Sequence, residues 1–184
     1  MDFELFGEAA PNTVNNFLGM CSGELSKTLW YQGSKIHKVC AQRWIMGGDL
    51  FNQDGTGSAS VYEKGSLPDF EAESNSLKFS EPYLLAASAN DEGRIGSQFF
   101  ITLSEQRALD ETQNVIFGRV VQGVKALHHM AEIDEFRKHK NAIEKMKDEM
   151  SDAANVENMF LMRKKRKLVD ADSVILIRRS GVYK

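Results

Sequence analysis

From Ile36 to Val121 the chain never sustains an apolar pattern long enough for a helix. It runs instead in short apolar segments, each stopped by a glycine or a polar turn. Ile36-His37-Lys38-Val39 and Arg43-Trp44-Ile45-Met46 are strand candidates, the second closed by Gly47-Gly48. Leu84-Leu85-Ala86-Ala87, Phe99-Phe100-Ile101-Thr102-Leu103 and Val115-Ile116-Phe117 continue the series, rich in β-branched or aromatic residues. Asn52-Gln53-Asp54-Gly55-Thr56-Gly57 is a polar glycine loop. Many short strands separated by turns predict a barrel or sandwich with little helix. One early helix is expected, because Val14, Phe17, Leu18 and Cys21 follow Pro11 at helical spacing and proline suits a first helical turn.

The pattern changes after Gly123. Val124, Leu127, Met130 and Ile133 start a helical period that Phe136, Ile143, Met146 and Met150 continue at heptad-like positions. One reading is a helix packed on its own barrel; the other is a docking helix for a second chain, with Phe136 to Met150 as a short seam. Ser151 to Asn158 reads as a break. Arg163-Lys164-Lys165-Arg166-Lys167 is a basic cluster compatible with a solvated or protein-contacting surface, nuclear import or phosphate contact. Asp172-Ser173-Val174-Ile175-Leu176-Ile177 reads as a closing strand.

At 184 residues the chain fits a single domain spanning 1–184. A formal charge of -3 exerts no whole-protein pull on nucleic acid or acidic membranes. Cys21 and Cys40 are too few for a disulfide scaffold and lack metal-ligand spacing, so no metal or cofactor is expected and a reducing compartment is. The first six residues lack a signal-peptide pattern, and no apolar run approaches membrane-spanning length. The expectation is a soluble cytoplasmic protein.

Several segments, in order, carry a resemblance. They are Phe3-Glu4-Leu5-Phe6 with Pro11 to Phe17, Tyr31 to His37 with Gly47-Gly48-Asp49, and Gly55-Thr56-Gly57 with Ser60-Val61-Tyr62. Gly96-Ser97-Gln98-Phe99-Phe100-Ile101, Leu109-Asp110 and Val115 to Val120 complete the set. Together they resemble the cyclophilins, the cyclophilin-type peptidyl-prolyl cis–trans isomerases, over Phe3 to Val120 plus the last strand. The resemblance implies an eight-stranded antiparallel barrel, closed or nearly closed, capped by two helices. Against that pattern, about 131–168 is a charged helical insertion before the last strand. Only Met1-Asp2 precede the segment that is normally the second strand, so an open barrel edge is expected, filled by a partner's strand or by a rearranged part of this chain. The alternative is an incomplete start. A short stretch, Trp44-Ile45 with Gly47-Gly48-Asp49, also resembles a divergent branch associated with motile cilia, including subunits of the axonemal radial spoke.

The resemblance implies a site for proline-containing segments. An X–Pro bond isomerises slowly because amide resonance sets a barrier of roughly 18–20 kcal/mol. Catalysis needs a grip on the ring, donors for the twisted carbonyl and a cation at the prolyl nitrogen. His37, Lys38, Gln98 and Phe100 fall at catalytic positions; Trp44, Met46, Ala89, Asn90, Leu109 and Asn114 (or Gln113) fall at substrate-binding ones. The register around Ser88-Ala89-Asn90 is open by one residue. Lys38 replaces the family arginine and lacks its planar fork. Arg43-Trp44 replaces a Phe-Met pair, Met46 a glutamine and Ala108 a tryptophan. His37 has an alternative reading as a structural histidine bonded inside the barrel.

The expected activity is therefore weak or absent isomerisation with weak cyclosporin binding, in a protein that serves as a binding subunit of a larger assembly. Partners are expected at the insertion helix and the open edge, with no membrane and no nucleic acid. The alternatives are an active foldase and a nuclear RNA-processing cyclophilin.

Overall fold

The computed structural model describes residues 1–24, 28–62, 69–74 and 76–149. In chain order the strands are β1 (Asp2–Leu5), β2 (Ile36–Cys40), β3 (Trp44–Gly47), β4 (Phe70–Glu71), β5 (Leu84–Ala89), β6 (Arg94–Thr102) and β7 (Val115–Gln122). Helix α1 (Pro11–Ser22) lies between β1 and β2, a 3-10 turn (Arg107–Glu111) between β6 and β7, and α2 (Val124–Glu149) follows β7. The strands form one antiparallel sheet in the order β1-β7-β5-β6-β3-β2, with β4 paired to β6.

Because side chains alternate along a strand, cross-strand partners share a face. One row runs Val39, Ile45, Ile101, Leu85, Gly118 and Leu5 across six strands, each residue paired with the next. This face carries the larger core, with Ile45 and Leu85 fully buried and Phe17, Phe99 and Phe117 packed beside them. Each large apolar side chain buried this way contributes roughly 1.5–3 kcal/mol relative to exposure. On the opposite face a second row runs Lys38, Met46, Phe100, Ala86 and Ile116. It belongs to a separate cluster with Phe79 and Leu84.

A register shift at His37 is what divides Ile36 from Lys38. Two residues apart, they would normally share a face. The extra residue sends Ile36 to the main core while Lys38 joins the opposite row.

Helix α1 begins at Pro11, as its spacing predicts, but has no side-chain cap of its own. Glu73 supplies one from a distant loop: its carboxylate accepts the N–H groups of Asn12 and Thr13 (2.9 and 2.7 Å) and the Thr13 hydroxyl (2.7 Å). Inside, Asn16 donates to the Gly96 carbonyl at 2.8 Å and accepts from Val61 N–H at 2.9 Å. Tyr31 donates its hydroxyl to Ser97 O at 2.6 Å. These bonds seat the helix on β6 without leaving the buried amide unpaired.

Of the expected closed or nearly closed eight-stranded barrel, the described residues form a seven-stranded sheet that is not closed. Closure needs the two end strands to meet each other or a strand between them, and here β1 pairs only with β7 and β2 only with β3. The closing strand at Asp172–Ile177, the break at Ser151–Asn158 and the basic cluster at Arg163–Lys167 lie outside the described residues. Helix α2 starts at Val124 and passes Ala131 without interruption, so the segment expected from about 131 begins inside a continuous helix. Leu127 and Met130 are buried in the main core, whereas Arg137 to Ala142 are exposed. The first turns of α2 thus pack on the main core, and the helix also contacts β2. Among the described residues no helix is long and apolar enough to cross a membrane.

Candidate functional site

The face opposite the main core gathers the apolar residues that the sequence singles out. Phe100 is 5% exposed and sits at the centre of its row, with Met46 directly across the strand pair. Trp44 and Leu109 are half-buried around the same cluster, and the Trp44 and Phe100 ring centroids are 6.5 Å apart. Phe79, absent from the sequence expectations, completes the floor. Its ring stacks on Phe100 at 5.8 Å and 19°. Asp110 holds it there, accepting the Phe79 N–H at 2.7 Å. The Leu109-Asp110 pair is recognisable as a motif, but only the fold shows that its carboxylate anchors a residue 31 positions away.

A second group forms around the glycine loop. Asp49 is fully buried and accepts backbone N–H groups from Phe51 and Asn52 on one oxygen and from Asp54, Gly55 and Gly57 on the other, at 2.9 to 3.2 Å. Burial alone would raise its pKa. The N–H bonds from Gly57, Asn52 and Phe51 outweigh that effect and hold the carboxyl well below the usual carboxylate range. Gly48, at φ +91°, leads into this carboxylate. A Cβ there would lie 2.2 Å from Ser97 O, so only glycine fits.

Gln98 braces the same loop, donating through Nε2 to the carbonyls of Gly55 and Gly57, both at 2.9 Å. An amide nitrogen has two hydrogens, and both are used. His37 lies against Gly55, whose missing Cβ would be 3.1 Å from Nε2. The reading of His37 as a bonded structural histidine is not met, since neither buried ring nitrogen has a hydrogen-bond partner among the described residues. Burial lowers its pKa from the ordinary 6.5, with Lys38 adding to that effect and Asp49 and Asp54 opposing it.

The third group sits at the β5–β6 turn. Asn90 caps that turn: its Oδ1 accepts from Glu92 and Arg94 N–H, its own N–H donates to Arg94 O, and its carbonyl accepts from Gly93. Ala89 N–H is taken by Asn114 Oδ1 at 3.0 Å, and Asn114 Nδ2 donates to Thr112 Oγ1 at 2.8 Å. Asn114 therefore closes on Ala89, while Gln113 lies over Gly93.

At the rim of the apolar face stand two cations. Lys38 is exposed at the end of the Met46–Phe100 row. The guanidinium of Arg43 lies over the Trp44 ring, 4.1 Å from its centroid. Arg43 thus does not put a bare charge in place of a ring; it covers one, as a cation over an aromatic face does. Ala108 is exposed and adds no ring to the wall. Among the described residues no group of three or more His, Cys, Asp or Glu side chains is arranged to hold a metal.

An antiparallel sheet with an inner core, two helices and an outer apolar face is compatible with a cyclophilin-like fold. The family model for the cyclophilin-type peptidyl-prolyl cis-trans isomerase/CLD matches residues 1–154, and the chain belongs to that family.

Proposed function

We propose that this cyclophilin-type domain binds proline-containing segments of other proteins on the outer face around Phe100 and turns them over slowly or not at all. The observation that carries the reading is the division of that face. Its apolar grip, Phe100 with Met46, Trp44 and Leu109, is assembled, while polar groups beside it are engaged within the chain. Both Gln98 N–H groups are bound to the loop, Ala89 N–H is bound to Asn114, and the single cation on the row is a lysine. Grip without the Gln98 and Ala89 donors favours ground-state binding over transition-state stabilisation. Each 1.36 kcal/mol of differential binding lost costs about tenfold in rate.

The test is cis–trans exchange of a short X–Pro peptide followed by NMR, with Phe100→Ala as control. Binding without acceleration, lost in the control, is the expected result. Acceleration that the control abolishes would replace this reading with the active foldase, a reading favoured by the place of Lys38 on the row of Phe100. Cyclosporin is expected to bind weakly, and nanomolar affinity would refute that.

Assembly follows as part of the same reading. The later turns of α2 and the unpaired edges of β1 and β2 are the surfaces proposed for protein partners, in the cytoplasm and with the axoneme of motile cilia as the location to examine. The nuclear RNA-processing alternative rests on Arg163–Lys167, and imaging the protein with and without that run separates it from the cytoplasmic one.

A further inference from the structure

Two cations stand at the rim of the apolar face. Lys38 stands at the end of the Met46–Phe100 row, and the Arg43 guanidinium lies on the adjacent Trp44 ring. The β2–β3 hairpin joins them: Cys40 pairs with Trp44, and Lys38 with Met46. With a rise of ~3.3 Å per residue and ~4.8 Å between strands, their backbones lie on the order of 10 Å apart, with Met46 and Trp44 between. Among the described residues neither cation has a carboxylate within ion-pairing distance. Arg43 has only a long bond, 3.5 Å, from Nε to Gln106 Oε1.

Several acids of the surrounding loops are already engaged. Glu105 pairs with Arg107, Asp110 accepts from Phe79, Asp49 is enclosed by backbone amides, and Asp54 accepts the Thr56 N–H and hydroxyl. Among the described residues, two cations without a carboxylate partner therefore flank the apolar patch.

We infer that this site selects proline segments bearing an anionic side chain, a carboxylate or a phosphate, next to the proline. The inference rests on the proposed proline-binding reading and adds the substrate class to it. The Met46–Phe100 patch takes the ring, and Lys38 and Arg43 take the flanking anion. Arginine stacked on an aromatic ring keeps donors at its edge for an oxyanion. Opposite charges steer encounter and penalise a basic neighbour at the same position.

The test compares four short peptides that differ only beside the proline, carrying Ala, Glu, phosphoserine or Lys, by chemical-shift titration of the 15N-labelled full chain. The Glu and phosphoserine peptides are expected to bind about fivefold or more tighter than Ala, and Lys weaker, with the differences shrinking in high salt. Arg43→Gln should reduce the preference, and Arg43→Glu should turn it toward the Lys peptide. The dispersion of each variant's 15N spectrum confirms that it is folded. Equal affinity for all four peptides would overturn the charge selection and leave the proline site standing. No binding of any peptide to the folded protein would overturn the proline-binding reading itself, and this inference with it. The ratio of Glu to phosphoserine affinities identifies which anion the rim prefers.

Discussion

Phe79 and Phe100 lie in near-parallel contact, 5.8 Å between centroids, so the floor of the outer face is a pair of stacked rings rather than one. Phe79 is 2% exposed and Phe100 5%, and each fixes the position of the other.

Removing the lower ring should therefore loosen the upper one. Phe79→Ala is expected to cost about 3–5 kcal/mol of stability in urea unfolding. Phe79→Leu should cost less and leave a folded protein whose affinity for a proline peptide falls about three- to tenfold through the lost ring contact. Unchanged affinity in that variant would remove Phe79 from the site.

The loop beneath Gln98 depends on one carboxylate. Asp49→Asn replaces an acceptor with an amide that faces five N–H donors, and should cost about 2–4 kcal/mol at neutral pH. The folded pKa of Asp49 lies below its ordinary 3.8. Its contribution is thus complete above that value and is lost as pH falls through the lower, folded one. The gap between wild type and variant should narrow on acidification below about pH 4. A gap constant from pH 7 into acid would contradict the ionised cage.

His37 gives a second pH signature with the opposite origin. Its pKa is lowered by burial, so the unfolded chain holds the proton more tightly than the folded one. Stability should rise as pH increases toward 6.5 and level off above it, and His37→Gln should flatten that rise in thermal melts. An unaltered slope in the variant would assign the pH dependence to another group.

Glu73 caps a helix sixty residues away. Glu73→Ala leaves the first N–H groups of α1 without their acceptor and should cost about 1–2 kcal/mol. Hydrogen exchange at Thr13 and Val14 is expected to accelerate, with β7 unaffected. A uniform change across the sheet would mean that the residue acts globally.

Much of this architecture is legible along the chain. Pro11 with Val14 and Phe17 announces α1, and the β-branched runs at Val115 and Phe99 announce their strands. The helical period after Gly123 begins where α2 does. These are local signals, and periodicity reports them because a strand or helix buries one face whatever its neighbour is. The apolar residues gathered on the outer face, Trp44, Met46, Phe100 and Leu109, are singled out in the sequence too, by position within the family pattern. What they touch was not: Phe79 carries no periodic signal, and its place depends on a bond to Asp110.

Sequence alone thus determined the element types, the family and the inventory of residues available to the outer face. Tertiary structure decided what each of them touches. That both Gln98 hydrogens lie on the carbonyls of Gly55 and Gly57 could not be read from the chain. Lys38 reads as the successor of an arginine until the shift at His37 is seen to set it at the end of the Phe100 row. The physical reason is the same in both cases. A hydrogen bond or a face assignment is fixed by which chain segments meet, and segments far apart in sequence meet only in the fold.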